Sequence, residues 1–371
     1  MTRAALSTFT PERPVSTLRG VVRQTVRRAQ EGHLSVSRQV LEMAVLKLFY
    51  GLGPGHYHTA RYWRKTLPWA FKTGFWPYRK FRRVVSAINF PPYHKLSQHK
   101  VCEKAILQLV GIPTPRFIGN LHHQRGRSLS GDCLTSPGEL QDLLAKNPDS
   151  SKICFKLVEG YGGQGFQAVE AVREAELKLR LADSGEVMSV PEFLSDVLAI
   201  EQGGDFIIEE YIKQHQELSK MNPSSVNTVR IWACCIEGET AVMGAFLRVG
   251  GRGSLVDNTS RGAHIFTLDL DSGVVGDGMV KNIYNDTYQC HRDSGVRISG
   301  VTLPFWHESL RLAQQAVMAF PHIGFAGVDV AITEKGPVVV ELNVEPDPTS
   351  AIIFDRSHRD LLEVFTSALS V

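Results

Sequence analysis

Residues 324–343 read GFAGVDVAITEKGPVVVELN, and this stretch constrains the fold more than any other part of the chain. Two runs rich in β-branched residues flank a Thr-Glu-Lys-Gly-Pro segment, which predicts a hairpin of two buried antiparallel strands. With residues 333–337 as the connection, Asp329 lies directly across from Glu341, and Asn343 lies two positions further along the same face. The hairpin is therefore expected to present three oxygen-bearing side chains together.

The opposite face of the predicted hairpin is apolar and would anchor both strands in the core. It consists of Val328, Val330, Ile332, Val338, Val340 and Leu342. Two carboxylates held on apolar strands repel each other and are costly to desolvate, so a cation is expected between them. Oxygen ligands with no nearby Cys or His favour Mg²⁺ over zinc. The alternative is that Asp329 merely ends a strand and that Glu341 forms a salt bridge.

The length of 371 residues is sufficient for two or three domains with substantial cores. The sequence contains no apolar run long enough to predict a membrane span, and its first residues do not resemble a secretory signal. The six cysteines include no Cys-x-x-Cys pair, which favours reduced thiols. We therefore expect a cytoplasmic protein, either free or peripheral at the inner membrane face.

The positive charge of the chain is concentrated in its first part. Residues 1–100 contain 18 Lys and Arg residues but only 3 acidic residues. The remainder contains 23 Lys and Arg residues and 35 acidic residues. Within residues 61–83, basic and aromatic side chains alternate, a mixture that can hold an anionic membrane surface or a tRNA backbone. The alternative is a packed helical layer with its aromatics inside and its cations facing solvent or the acidic remainder.

Apolar spacing predicts helices from Leu18 to about Tyr50, with a break near Gly32. The residues expected to pack inward are Val22, Val26, Val40, Leu41, Val45, Leu46 and Leu48. A further helix is expected from Ser97 to Leu109, with Ser97 as its N-cap.

A glycine-rich segment follows the strand predicted at residues 153–158. It reads EGYGGQG at residues 159–165, and a second strand follows from Phe166. Closely spaced glycines let backbone amides turn toward a phosphate, and Lys156 could reach the same phosphate as a point charge. The segment is neither a Walker motif nor a dinucleotide fingerprint, since both of these open a helix. The alternative is a flexible hairpin.

Taken in order, these motifs resemble those of the ATP-grasp enzymes. The resemblance rests on Lys100 in the first turn of a helix, Lys156 with GYGGQG, the strand IIEEYI, and Asp329 followed by Glu341-Leu-Asn343. The segments SVNTVRIWAC, AFLRVGG, DNTSRGA and DSGVRISGVTLPFW are similar to the sugar-transfer-associated branch, and the likeness extends from about Leu34 to the C-terminus. It implies an α+β fold, the ATP-grasp fold, in which two α+β subdomains clamp ATP. The expected domains are a basic, mainly helical region (1–95), a subdomain with the glycine-rich loop (96–206) and a subdomain with the metal site (207–371).

The resemblance also implies a binding role for particular residues. Lys100 and Lys156 would contact the ATP phosphates, with Gly162, Gly163, Gln164 and Gly165 closing over them. The adenine would lie against Glu209, Glu210, Tyr211 and Ile212, with Glu209 at its amino group. Glu217 would contact the ribose, although Gln214-His215-Gln216 precedes it where many relatives have Gly-x-Glu. Asp329, Glu341 and Asn343 would hold two Mg²⁺ ions.

The chemistry implied is ligation of a carboxylate to an amine through an acyl phosphate, in polysaccharide or sugar-conjugate biosynthesis. Arg230 and Arg248 are candidates to hold the acyl phosphate or the acceptor carboxylate, unless they pair with Asp257 or Glu239. Residues 271–303 and the loop at Asp257 are expected to line the acceptor pocket. The alternatives are an ATP-grasp kinase acting on a hydroxyl, a ligase that uses an aminoacyl-tRNA, and an RNA- or membrane-binding protein with a vestigial ATP site.

Overall fold

The computed structural model describes residues 18–147, 152–160, 162–173, 176–258 and 262–369. The first 17 residues of the expected N-terminal region and residues 259–261 of the DNTSRGA loop lie outside these ranges. The helices are α1 (Leu18–Gln30), α2 (Val36–Tyr50), α3 (Pro54–Thr59), α4 (Trp69–Gly74), α5 (Tyr78–Ile88), α6 (His94–Gln98), α7 (Lys100–Leu109), α8 (Pro137–Lys146), α9 (Val190–Glu192), α10 (Gln216–Met221), α11 (Trp306–Met318), α12 (Ser350–Ile353) and α13 (His358–Leu369). None of the described helices is long and apolar enough to cross a bilayer.

Two antiparallel sheets of seven strands organise the described residues. The strands of the first sheet are β1 (Phe117–His122), β2 (Arg127–Ser128), β3 (Lys152–Leu157), β4 (Gln167–Arg173), β5 (Leu177–Leu181), β6 (Val187–Ser189) and β7 (Asp205–Glu210), in the order β2-β1-β7-β3-β4-β5-β6. Those of the second are β8 (Thr228–Ile236), β9 (Glu239–Val249), β10 (His264–Leu268), β11 (Val275–Met279), β12 (Thr287–Tyr288), β13 (Phe325–Thr333) and β14 (Gly336–Asn343), in the order β12-β11-β10-β9-β8-β13-β14. The α+β class is confirmed. Because all of β7 pairs in the first sheet, we propose that the subdomain boundary lies after Glu210 rather than after residue 206.

The second sheet is covered on both faces. Residues of α11, including Leu312 and Ala316, pack with Val328 and Val330 on one face. The N-terminal helices cover the other face, where Phe81 of α5 packs against buried aromatics of β8 and β13. The aromatic side chains of residues 61–83 are mostly inside this layer, namely Tyr62, Trp63, Phe75, Trp76 and Phe81. Residues 61–83 therefore form part of a packed helical layer and do not expose most of their aromatic side chains.

The hairpin forms with the expected register but with a different turn. Thr333 pairs with Gly336, so the connection is the two residues Glu334 and Lys335, not residues 333–337. A bulge shifts the register at Val340, so Asp329 still pairs with Glu341. The bulge also reverses the faces on its turn side: Val339 is buried, whereas Val338 and Val340, expected inside, are only partly buried.

Helices α1 and α2 form on either side of Gly32, and Leu46 is buried as predicted, but most of their inward face is not the one predicted. The exposed fractions of Val22, Val26, Val40, Leu41 and Leu48 lie between 40% and 78%. Polar side chains point inward instead, namely Gln24, Thr25, Gln39 and Glu42. Thr25, Gln39 and Glu42 form hydrogen bonds to neighbouring groups: the Glu42 carboxylate, for example, accepts from Lys72 at 2.6 Å and from Tyr57 at 3.1 Å.

Helix α7 begins at Lys100 and is capped by His99, so Ser97 is not its N-cap. Ser97 lies in α6 and is buried, and its hydroxyl donates to the carbonyl of Leu342 at 2.7 Å. The serine therefore joins α6 to β14, next to the predicted metal ligands.

Asn89 joins the N-terminal layer to the second sheet. Its amide nitrogen donates to the carbonyls of Phe325 and Val344, both at 2.7 Å, and its oxygen accepts from the N–H groups of Gly324 and Phe325 at 3.0 and 2.9 Å. The side chain is fully buried, so no water can replace these bonds.

We predict that Asn89→Ala lowers the free energy of unfolding by about 3 kcal/mol, because it leaves buried donors and acceptors without partners. Chemical denaturation monitored by circular dichroism measures the loss. The control is Gln108→Ala on the exposed face of α7, which should stay within about 0.5 kcal/mol of the parent protein. Equal stability of the two variants would contradict the role of Asn89.

Candidate functional site

A row of charged side chains crosses three neighbouring strands of the second sheet. Asp329 on β13 pairs in register with Glu341 on β14 and with Arg230 on β8. Because directly paired residues point to the same face, the three side chains lie side by side. Arg248 on β9 joins them, since it reaches Asp329 across Thr228.

Asp329 is neutralised by two arginines. Arg230 binds it through Nε and through Nη2, the latter at 2.9 Å, and Arg248 Nη2 donates to the same carboxylate at 2.8 Å. Burial alone would raise the pKa of Asp329, but the two guanidinium groups outweigh it and lower that pKa. The cation expected at this carboxylate is therefore an arginine pair. Arg248 also lies 3.4 Å from Asp257, one of its predicted partners, whereas Glu239 is at the far end of β9.

Glu341 differs from Asp329 because its charge is not balanced in the same way. Its carboxylate lines the cleft, and among the described residues its one hydrogen bond is a long contact of 3.4 Å from the Asn343 amide. Burial raises the pKa of nearby Glu103, and the charge of Glu341 raises it further. Rotating the Asn343 amide would place its oxygen beside Glu341, so the pair fits a hard divalent cation such as Mg²⁺. Asp329 could join only by sharing oxygens already held by arginine.

The glycine-rich loop and two lysines form the opposite wall of the cleft. Gly162, Gly163 and Gly165 have φ angles of +66°, +71° and +64°, a left-handed conformation that side chains disfavour. Lys100 Nζ donates to the carbonyl of Gly160 at 2.9 Å, and thus holds the base of the loop. The loop conformation therefore requires its glycines.

Lys156 is held by a buried carboxylate. Glu209 forms ion pairs with Lys156, at 2.7 Å, and with Lys104. Burial raises the pKa of Glu209, but the two ammonium groups outweigh this effect and lower it; Glu209 in turn keeps the pKa of Lys156 raised despite burial. Glu209 thus fixes the position of Lys156, and its predicted contact with adenine stays a prediction.

The next residues of the strand IIEEYI edge the cleft. Glu210 pairs with Arg116 at 2.9 Å, and the ring of Tyr211 lies 4.1 Å from Lys152 Nζ. The N–H of Tyr211 donates to the carbonyl of Lys152 at 3.0 Å, and the predicted contact of this backbone with a base stays a prediction.

One cleft of about 230 Å³ between the two sheets brings most of the predicted site together. Its lining includes Lys100, Lys156, Gly162, Gly163, Gln164, Glu209, Glu210, Tyr211, Ile212, Arg230, Arg248, Asp329, Glu341 and Asn343. Glu217 is not brought to the cleft: it lies in α10 and pairs with Lys220 at 2.6 Å, because the helix turns it to the exposed side. Gly165 belongs to the loop without lining the cleft.

A second cavity, of about 400 Å³, adjoins the cleft and shares Arg230 and Asn343 with it. Its far wall comes from the N-terminal layer, through Tyr78 and Arg82 of α5, and Arg82 pairs with Glu345 at 3.1 Å. Sequence reasoning missed these residues and also Lys104. The one signal in the sequence was the excess of positive charge in residues 1–100, which predicts contact with the acidic remainder of the chain.

One comparison with known proteins identifies the family of this chain. The family model described as sugar-transfer associated ATP-grasp matches residues 82–365, about three quarters of the chain. A search of curated proteins finds no match.

Several solved structures are similar. D-alanine–D-alanine ligase from Bacillus anthracis has 16% identity and a TM-score of 0.40, over 73% of this chain and 67% of that one. Carboxyaminoimidazole ribonucleotide synthase from Aspergillus clavatus, complexed with ATP, has 14% identity and a TM-score of 0.40, over 72% and 52%. The chain thus spans about half the length of this synthase. Similarities as distant as these carry no argument. Because the family model matches most of the chain, the chain belongs to the sugar-transfer associated ATP-grasp family and has its fold.

Proposed function

We propose that this protein is an ATP- and Mg²⁺-dependent ligase that joins a carboxylate to an amine through an acyl phosphate. One observation carries the proposal: a glycine-rich loop with two lysines faces Glu341, Asn343 and an arginine pair across a single cleft. Phosphoryl transfer needs positioning and charge neutralisation more than covalent help from the protein, and these groups supply both. The family description supports a sugar-linked substrate.

The reaction has two steps. An oxygen of the acceptor carboxylate attacks the γ-phosphorus of ATP, the bond from that phosphorus to the β,γ-bridging oxygen breaks, and ADP leaves. The amine nitrogen then attacks the acyl carbon, the bond from that carbon to the phosphate oxygen breaks, and phosphate leaves while the amine proton passes to solvent. Lys100 and Lys156 would hold the phosphates, and Arg230 would hold the acyl phosphate at the junction of the two cavities.

Glu341 and Asn343 would hold the magnesium, with Asp329 sharing an oxygen. When bound, Mg²⁺ neutralises charge that develops on the phosphates. Arg230 and Arg248 would also have a second role, since both keep Asp329 ionised and hold its orientation.

The second cavity is our candidate for the acceptor site, in place of residues 271–303, none of which lines this cavity or the cleft. It begins at Arg230, where an acceptor carboxylate would lie, and ends at Tyr78 and Arg82. The phenol of Tyr78 and the acids Glu345 and Asp347 suit a substrate with hydroxyl and amino groups, such as a uronic acid or an amino sugar. A kinase acting on a hydroxyl would use the same cleft, so product analysis must separate the two reactions.

We predict that Glu341→Gln weakens magnesium-dependent ATP binding at least tenfold, because it removes an anionic ligand that forms no salt bridge with the described residues. Isothermal titration with ATP, with and without Mg²⁺, measures this loss. Glu239→Gln at the far end of β9 is the matched control and should bind like the parent. Unchanged binding by Glu341→Gln would remove the metal assignment.

We predict that Arg82→Gln raises the KM of the acceptor about tenfold while the KM of ATP stays constant, since Arg82 lines only the second cavity. ADP and phosphate release is measured with a panel of uronic acids, amino sugars and amino acids. Arg83→Gln, at the neighbouring exposed position, is the control. A change in the KM of ATP would place Arg82 in the nucleotide site. Formation of ADP and phosphorylated acceptor without free phosphate would identify a kinase.

We further propose that the protein attaches to an anionic membrane through α1 and α2 rather than through residues 61–83. Leu18 and Val22 on α1, and Leu41, Leu48 and Phe49 on α2, have exposed fractions between 55% and 80%. Arg19 and Arg23 are exposed beside the apolar residues of α1. Apolar and cationic side chains on one helix are typical of helices that lie in the headgroup region of anionic bilayers.

We predict that the protein co-sediments with phosphatidylglycerol vesicles and not with phosphatidylcholine vesicles. The double variant Leu41→Gln/Leu48→Gln should bind at least tenfold more weakly, because two apolar side chains no longer enter the bilayer. Leu109→Gln, exposed on α7, is the control and should bind normally. Equal binding by the double variant would contradict attachment through α2.

A further inference from the structure

A second group of potential metal ligands lies outside the cleft. His264 begins β10, and His291 and Asp293 follow β12. One nitrogen of each imidazole and one carboxylate oxygen lie within 4.8 Å of one another. The ligands of a tetrahedral zinc ion lie about 3.3 Å apart, so the three atoms would have to approach one another by at most about 1.5 Å to share one ion.

The ring of His291 is oriented like a metal-bound imidazole. Its Nε2 donates to the carbonyl of Gly250 at 2.8 Å, so Nδ1 carries the lone pair. In metal sites, a ring N–H held by a backbone carbonyl fixes the tautomer and the plane of the ring. The contact at Nδ1 is the N–H of Ser294 at 3.3 Å, which is long for a hydrogen bond.

His264 and Asp293 complete the group from the other side. His264 Nε2 lies 3.4 Å from Asp293 Oδ2, beyond the length of a good hydrogen bond, and its ring centre lies 4.3 Å from that of His291. The exposed fractions of the two imidazoles are 7% and 1%, whereas Asp293 is exposed. The nitrogen ligands are therefore held in place by packing, and an ion can reach them from the side of Asp293.

We infer that His264, His291 and Asp293 bind one Zn²⁺ ion, with the remaining position open to water. Two imidazoles and a carboxylate suit zinc, whereas Mg²⁺ prefers oxygen ligands alone. This site is independent of the proposed ligase activity, because none of its three residues lines the ATP cleft.

The zinc would act on residues 250–257, a segment that begins beside the proposed zinc ligands and ends at the cleft. His291 holds the carbonyl of Gly250, and Asp293 accepts from the N–H of Arg252 at 2.9 Å. The same segment continues to Val256 and Asp257, which line the cleft. Zinc bound by His291 and Asp293 would therefore fasten the start of this segment to the part of the chain after β12, through the hydrogen bonds of these two residues.

The test uses the full chain, stripped with a chelator and kept in saturating Mg²⁺ so that the oxygen ligands of the cleft are occupied. Isothermal titration with Zn²⁺ should show one ion per chain. We expect His264→Ala to weaken binding at least 100-fold and Asp293→Asn at least tenfold. Co²⁺ in place of zinc should give a visible absorption band that both variants lose.

Two controls separate this site from others. His307→Ala removes an exposed histidine on α11, and Glu341→Gln removes a carboxylate of the cleft; both should bind zinc like the parent. Asp293 is exposed, so Asp293→Asn keeps the test valid even if His264→Ala fails to fold. The inference is overturned if the parent binds no zinc, if Asp293→Asn binds it with unchanged affinity, or if Glu341→Gln abolishes binding.

Discussion

The structure depends on the ion cluster in which Asp329 lies between Arg230 and Arg248. A carboxylate with an exposed fraction of 1% cannot remain charged without partners. Here the partners come from β8, which pairs with β13, and from β9, which lies on the other side of β8. Their attraction joins β8, β9 and β13 on the side of the sheet that faces the cleft. This cluster also gives different roles to Asp329 and Glu341, which the sequence pattern does not distinguish. Asp329 holds the sheet and its arginines, whereas Glu341 is left with a charge that an ion could balance.

The register of the hairpin shows how far strand pattern can be used for prediction. The pairing of Asp329 with Glu341 was predicted correctly from a connection that was wrong. The two-residue turn places β14 one residue out of the predicted register, and the one extra residue of the bulge at Val340 restores that register from Glu341 onward. Alternation of apolar residues cannot distinguish the two solutions close to the turn. For that reason the faces of Val338 and Val340 were predicted wrongly, whereas those of Val328 and Leu342 were predicted correctly.

Local chemistry was predictable where the backbone itself demands a residue type, and tertiary partners were not. The glycines at 162, 163 and 165 adopt left-handed angles that sequence alone suggests. In contrast, no spacing rule shows that Glu209 lies between Lys104 and Lys156, since these three residues come from a helix and two strands. Periodicity located α1 and α2 correctly but gave their orientation wrongly. A helix has two faces, and buried polar side chains that form hydrogen bonds, such as Thr25 and Glu42, can occupy the inner face in place of an apolar stripe.

The charge asymmetry of the chain also has a structural meaning that its net value hides. The basic first part lies over one face of the second sheet, and its arginines reach acids of the C-terminal part: Arg64 binds Asp355, and Arg82 binds Glu345. Surface pairs of this kind contribute little stability, so they do not explain why the layer stays in place. That task falls to the buried aromatics and to Asn89, which fix α5 against β13. The layer is therefore fixed by its core, and the ion pair of Arg82 with Glu345 at the edge of the second cavity is not needed to hold it.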